Sequence, residues 1–381
     1  MDQTSSRRRR PGEVRDAIVQ VLERRQQAAT LHEITNDVVQ LIGAVPPSSV
    51  RSYLRLNTPA LFLRMDRAQY VLNGFEDLRR SSRPVDRTEH KQFRFGQASM
   101  VLAECNSWLD EQAPNTMHAV VTDPPYGLLE YSDSEQEKLR QGRGGVWRIP
   151  PSFDGSKRSP LPRFTVLKAD DLVALDRFFF SWARSLLRVL VPGANVVVAS
   201  NPLLSYIVSG SLARAGLERR GEIARLTMTM RGGDRPKAAH IEFEDVSVMP
   251  RSMWEPWLLF RKPLDGRVQD NLRKWGTGGF RRVSAARPFG DVIESAPTRS
   301  VERKLAPHPS LKPQAFLRKV VRGALPLGKG VVLDPFAGSG STLAAAEAVG
   351  YASKGIERDP YYFDLASEAL PRLAALRVDD G

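Results

Sequence analysis

Val331-Val332-Leu333-Asp334-Pro335-Phe336-Ala337-Gly338-Ser339-Gly340-Ser341-Thr342, continued by Leu343-Ala344-Ala345-Ala346-Glu347, reads as a buried strand, a glycine turn and a helix. The glycines let backbone approach a ligand closely, and the helix N-terminus beyond them presents N–H groups without intrahelical partners. The stretch lacks the phosphate-loop lysine and a full dinucleotide fingerprint, which argues against an ATP or NAD site. A second apolar strand, residues 353–356, ends in Glu357, 23 residues after Asp334. An acid at the tip of the second strand is where a ribose diol is gripped in a doubly wound sheet. The turn and its two acids therefore suit a nucleoside without phosphates.

Upstream, the apolar run Ala119-Val120-Val121 leads into Thr122-Asp123-Pro124-Pro125-Tyr126-Gly127. Two consecutive prolines fix φ and remove two N–H donors, so the backbone here can neither join a helix nor continue a ladder. A carboxylate, backbone carbonyls and a phenol ring remain exposed. That set suits gripping a planar molecule that carries an NH₂ group, with the acceptors on its hydrogens and the ring on its face. Read alone, the tetrapeptide fits a solvent-exposed turn equally well.

The strand, helix, strand alternation extends to the rest of this region. Residues 99–104 read as a strand, 107–112 as a short helix and 171–190 as a helix closed by Pro192-Gly193. A strand over 195–199, a helix over 203–216, and strands at 246–249 and 254–260 follow. The expected fold is α/β: a doubly wound, mostly parallel sheet. Residues 128–167, rich in Gly, Arg, Pro and Ser, read as a long loop. Residues 261–307 interleave cations and rings, with Arg273, Lys274, Arg281 and Arg282 as candidate DNA contacts. A solvated loop with a few rings tucked inward is the other reading.

Ahead of this domain, residues 1–10 read as a disordered basic tail and residues 75–93 as a charged linker. Between them, apolar spacing gives a helix to about Gln27, a second over 31–41 capped by Thr30, and a third over 50–56 after Pro46-Pro47. Residues 61–72 look like two short strands. Three helices and a hairpin over 11–74 resemble a small winged helix-turn-helix module, whose third helix turns Arg51 and Arg55 outward as groove readers. A protein-docking winged helix is the alternative.

Composition points the same way. The 381 residues carry a formal net charge of +13, and so basic a chain suits a polyanionic partner, nucleic acid first. No apolar run approaches membrane-spanning length, and the start has no signal peptide, so a cytoplasmic, nucleoid-associated protein with no membrane partner is expected. The single cysteine, Cys105, excludes an intrachain disulfide and a cysteine-cluster metal site. No metal is expected.

The Asp-Pro-Pro-Tyr turn, the pair Lys312-Pro313 and the later Asp-Pro-Phe-Ala-Gly-Ser-Gly, in that order, resemble the β-class amino-methyltransferases that use S-adenosylmethionine. Members methylate the exocyclic nitrogen of adenine or cytosine in DNA. The resemblance runs from about Ser99 to the C-terminus, and the motif order is permuted relative to methyltransferases that place the glycine loop first. It implies a Rossmann-like methyltransferase domain over 94–381. Asp334, Phe336, Ala337, Gly338, Ser339, Gly340 and Thr342 would wrap the cofactor, Glu357 would hold its ribose, and Lys312 would lie nearby. Glu104 and Cys105 would stand beside its adenine, with glutamate where aspartate is more usual. Residues 264–307 would form the target-recognition segment.

The same resemblance makes Asp123, Pro124, Pro125 and Tyr126 the catalytic turn, acting on a base flipped out of double-stranded DNA. Asp rather than Ser at position 123 leans toward adenine N6; cytosine N4 is the alternative. A catalytically silent DNA-binding regulator would require a broken motif, and both are intact. The family's context brings in two further candidate partners, cognate restriction or defence components and a second copy of the chain.

Overall fold

A computed structural model describes residues 12–25, 27–58, 61–65, 69–72, 90–125, 169–231, 235, 236, 238–308 and 310–378. The basic tail, nearly all of the charged linker, Tyr126 and the 128–167 stretch lie outside the described residues. Contacts divide the chain into two units, Met1–Asp86 and Arg87–Gly381.

In the first unit, α1 (Glu13–Arg25), β1 (Ala29–Thr30), α2 (Leu31–Ile42) and α3 (Pro47–Leu56) precede a hairpin of β2 (Phe62–Met65) and β3 (Gln69–Leu72). The two-residue β1, which apolar spacing could not reveal, pairs antiparallel with β3 and gives the strand order β1-β3-β2. Thr30 caps α2 as its sequence predicts: its hydroxyl accepts the Glu33 N–H at 3.3 Å while Glu33 accepts the Thr30 N–H at 2.7 Å. Ile18, Leu22, Ile34, Val38, Val50, Leu54 and Phe62 form the core, so α3 turns Arg51 and Arg55 to solvent.

Among the described residues, the second unit holds a nine-stranded sheet. Its strands are β4 (Gln92–Phe95), β5 (Ala98–Leu102), β6 (Met117–Thr122), β7 (Leu190–Ala199), β8 (Glu218–Arg231), β9 (Ser252–Arg261), β10 (Val292–Glu294), β11 (Val331–Asp334) and β12 (Ala352–Glu357), in the order β10-β8-β9-β7-β6-β11-β12-β5-β4. The run β7-β6-β11-β12-β5 is parallel throughout, whereas β9 is antiparallel to both β7 and β8. The fold is thus α/β with a doubly wound, mostly parallel sheet. Along β6 and β7, Val120, Val196 and Val198 face one core while Ala119, Val121, Val197 and Ala199 face another. Burial on both faces is why these strands are near-continuous apolar runs.

The first of these cores is covered by α4 (Cys105–Glu111), α5 (Ala169–Val189) and α6 (Ser205–Ala215). On the other face pack α9 (Gln314–Ala324), α10 (Ser341–Ala348) and α11 (Pro360–Ala374). Two short helices, α7 (Val268–Trp275) and α8 (Ser300–Leu305), lie between β9 and α9 in the chain.

Two strand expectations are corrected. Residues 246–249 form no strand, and Val246, Val248 and Met249 are exposed. The strand beside β9 is instead β8, whose inward side includes Arg225 and Thr227 as well as Ile223, so no apolar alternation marked it. Pro192-Gly193 does not close α5 but lies inside β7, where Gly193 adopts φ +76° and the pairing with β6 shifts register. The Gly193 N–H bonds the Lys262 carbonyl at 3.1 Å, so the pair makes an irregularity in the strand rather than an end.

Candidate functional site

Strand β11 lies between β12 and β6. The chain leaves β11 through α10 toward β12, whereas β6 is followed by α5 and β7 on the other side. The carboxyl ends of β11 and β6 therefore flank a topological switch point, the place where open α/β sheets bind ligands. Both sequence motifs end there. The Thr122 hydroxyl, at the tip of β6, donates to Asp334 Oδ1 at the tip of β11 at 2.6 Å.

Asp334 is buried and also accepts the Phe336 N–H at 3.2 Å and the Thr342 hydroxyl. Burial pushes its carboxyl up to about 6 against those hydrogen bonds, and the neighbouring charge of Asp123 adds to the rise. One residue beyond Thr122, Asp123 Oδ2 accepts a short hydrogen bond from the Lys312 ammonium. Pro124 is buried and Pro125 half-buried, which fixes the turn's exit from the sheet.

Glycine is required at two points of the β11–α10 turn. Gly338 has φ +50° and Gly340, the N-cap of α10, has φ +78°. A Cβ on Gly338 would stand 3.1 Å from the His308 ring nitrogen Nε2. That ring packs edge-on against Tyr362 at 4.5 Å, and burial, with the Lys312 charge second, pushes its imidazole down to about 4, so it is neutral at pH 7. Glu357, at the tip of β12, accepts the Gly338 and Asp359 N–H groups at 2.8 Å each. Burial raises this carboxyl above the ordinary glutamate value despite those bonds.

An open cleft lies at the switch point, lined by Asp123, Trp257, His308, Lys312, Asp334 and, from the β11–α10 turn, Phe336 to Ser339 with Ser341 and Thr342. It has features that suit a sulfonium nucleoside: a glycine cradle that a Cβ would narrow, with the Glu357 carboxylate bonded to the back of that cradle through Gly338, and an acid and a proline turn across the switch point. Ala337 and Ser339 are buried, and both line the cleft.

Other sequence candidates are placed differently. Glu104 is the N-cap of α4, accepting the Ser107 N–H at 2.8 Å; burial would raise its carboxyl, but the N–H groups of Ser107 and Asn106 hold it below the usual value. Cys105 is buried in the core that includes Trp108 and Trp182, and its thiol is pushed up, by burial first and then by the Glu104 charge.

In the 264–307 segment, Arg273 pairs with Asp270 at 3.1 Å and Lys274 with Asp265 at 2.6 Å. Arg281 donates to the Tyr351 hydroxyl, and Arg282 to the carbonyls of Ser284 and Ala286 at 3.3 Å each. Phe280 and Phe289 meet edge-on at 4.6 Å and pack against the core under α9. These two rings are tucked inward, while Arg273, Lys274 and Arg282 stay exposed.

Comparison with known proteins follows the same line. The DNA methylase family pattern matches residues 237–368, which include Lys312, the whole glycine turn and Glu357. Over these residues the chain is similar to the DNA methylases. The Type II methyltransferase M.HindIII of Haemophilus influenzae is 24% identical over 294 residues, 67% of this chain and 89% of that protein. M.ScaI of Streptomyces caespitosus, another Type II methyltransferase, is 41% identical over 78 residues, 20% of this chain and 25% of that one. Among solved structures, M1.HpyAVI in complex with SAM is 16% identical, with a TM-score of 0.46 and coverage of 72% of this chain and 98% of that chain.

The cradle described above fits S-adenosylmethionine, the cofactor that the sequence resemblance implies. Sequence reasoning missed Arg225, Glu255 and Trp257, which stand behind Lys312, and the role of His308 against the cradle. Only His308 left a signal, four residues before Lys312 in the same proline-bearing stretch.

Proposed function

We propose that this methyltransferase modifies the exocyclic amine of a base flipped out of double-stranded DNA, adenine N6 before cytosine N4. The observation that carries the reading is Asp123 at the tip of β6, across the switch point from the glycine cradle and Glu357. An exocyclic amine is a poor nucleophile because its lone pair is delocalised into the ring. The Asp123 carboxylate and the Pro124 carbonyl accept its N–H bonds and localise that pair on nitrogen. Tyr126, outside the described residues, is the turn's aromatic and is assigned the stacking role. S-adenosylmethionine, when bound, supplies an electrophilic methyl carbon. Most of the rate enhancement then comes from orientation and from the fixed charges around Asp123. Asp rather than Ser at position 123 supports adenine.

Incubation with labelled S-adenosylmethionine and DNA, followed by nucleoside analysis, tests this. N6-methyladenine is expected. N4-methylcytosine would overturn the choice of base, and DNA without label would overturn the reading altogether.

Residues 11–74 are proposed as a winged helix that supplies DNA affinity through the exposed Arg51 and Arg55 of α3, with 264–307 as the target-recognition segment. Deleting residues 1–74 is expected to weaken DNA binding and flatten its dependence on salt more than it slows the chemistry. Affinities at several salt concentrations that match the full chain would identify the module as a protein-docking one. Among the described residues no helix is long and apolar enough to cross a membrane.

A further inference from the structure

Behind the Asp123–Lys312 pair stands a second set of charges. Lys312 Nζ lies 3.4 Å from Glu255 Oε1 and 3.4 Å from the Ser310 carbonyl, in addition to its bond with Asp123. An ammonium has three N–H donors, and Asp123, Glu255 and Ser310 give it three acceptors. Glu255 is itself braced. Its Oε2 accepts the Arg225 guanidinium at 2.7 Å and the Trp257 indole N–H at 3.4 Å. Arg225 is fixed in turn by a 3.0 Å bond to the Ser295 hydroxyl and by the Phe316 ring, 5.0 Å away. Trp257 is fully buried against that same ring. The charges thus alternate from the cleft into the sheet: Asp123, Lys312, Glu255, Arg225.

We infer that Glu255 is a positioning residue for methyl transfer, holding the Lys312 ammonium so that the Asp123 carboxylate keeps one orientation toward the amino group of the target base. The inference rests on the assignment of Asp123 as the acceptor. Two physical consequences carry it. The first is geometric: without Glu255, Lys312 loses the acceptor on the sheet side and swings, and the carboxylate it holds swings with it. A misplacement on the order of 1 Å at a reacting group reduces rate by about a hundredfold.

The second consequence is electrostatic. Glu255 separates Lys312 from Arg225, and without its charge two cations face each other in a largely buried site. Burial pulls the Lys312 ammonium toward its neutral form, yet Asp123 and Glu255 outweigh this and hold it above the ordinary lysine value, with Arg225 opposing. His308, neutral at pH 7, lies on the cradle side of Lys312, and Asp334 stands behind Asp123. Removing the Glu255 charge takes away one of the two anionic supports, so Lys312 deprotonates at lower pH.

The test compares Glu255→Gln and Glu255→Asp with the full-length chain and with Asp123→Ala, measuring kcat, KM for S-adenosylmethionine and the pH profile of kcat. Glu255→Gln is expected to lose about tenfold or more in kcat, keep its KM within about twofold, and show an alkaline limb moved to lower pH. Glu255→Asp keeps the charge but is shorter by a methylene, so it is expected to restore the alkaline limb while kcat stays reduced. A Glu255→Gln enzyme with unchanged kcat and pH profile, beside an inactive Asp123→Ala, would overturn this inference alone. A loss equal at every pH in both Glu255 variants would assign Glu255 a purely structural role and overturn it too. An active Asp123→Ala would instead overturn the acceptor assignment, and this inference with it.

Discussion

Asp123→Ala is expected to lower methyl transfer by about a thousandfold while S-adenosylmethionine binding stays within about threefold of the full-length chain. The two effects separate because the two halves of the site sit on different strands. Asp123 follows β6, whereas the cradle and Glu357 belong to β11, α10 and β12. Alanine removes the acceptor proposed to localise the amine lone pair and leaves Lys312 with Glu255 and the Ser310 carbonyl as its remaining acceptors among the contacts above. Asp123→Asn separates charge from volume. The amide keeps the shape and one acceptor oxygen, which can serve Lys312 or the base but not both well, so a loss of about a hundredfold is expected. Calorimetry with S-adenosylmethionine and single-turnover rates on DNA give the two readouts. Turnover by Asp123→Ala at the wild-type rate would remove the acceptor from the mechanism.

How much of this was legible in the sequence depends on which residues carried the signal. The strand tips were: Val331 to Leu333, Ala119 to Val121 and Val196 to Val198 are apolar because both faces of the sheet are covered, and a strand that must be apolar on both faces announces itself. Asp334 and Glu357 stand out at the ends of such runs, so the acids and the glycine turn could be placed before any coordinates. β8 was illegible for the opposite reason. Arg225 points inward along Glu218–Arg231, where an apolar residue would have marked the strand, and its partner Glu255 on β9, with the Ser295 hydroxyl, makes that burial tolerable.

Long-range pairing was illegible too. Asp123 and Lys312 are 189 residues apart, and nothing in their local sequence says that one charge neutralises the other. Cys105 shows a further limit: its place just after a strand was readable, but not that this strand pairs with the one ending in Glu357, nor that the thiol is buried in the core. In 264–307, likewise, alternating cations and rings describe a surface and a folded loop equally well. Phe280 and Phe289 are held inward by the glycine they cover, Gly323 of α9, where a Cβ would stand 2.3 Å from Phe280 Cε1 and 2.8 Å from Phe289 Cε2, while Arg273 and Lys274 stay exposed.

The cofactor half makes the second large prediction. Glu357→Ala is expected to weaken S-adenosylmethionine binding by about a hundredfold, because two ribose hydroxyls lose a charged acceptor worth about 1.5 kcal/mol each at the low end. The substitution also strips the Gly338 and Asp359 N–H groups of their acceptor, so the cradle loosens on the side proposed for the ribose. Glu357→Gln does not repair this, since its NH₂ would face one of the two N–H donors that the carboxylate now satisfies. The pH dependence gives an independent check. Burial raises the Glu357 carboxyl above the ordinary glutamate value. Ribose hydroxyls bind the ionised form better, so affinity rises with pH as the carboxyl ionises and falls as acid protonates it. Titration calorimetry from mildly acidic to neutral pH should show that rise in the full-length chain and a weaker one in Glu357→Ala, with kcat at saturating S-adenosylmethionine much less affected. Binding by Glu357→Ala within about threefold of the full-length chain would mean that the ribose is held elsewhere in the cleft.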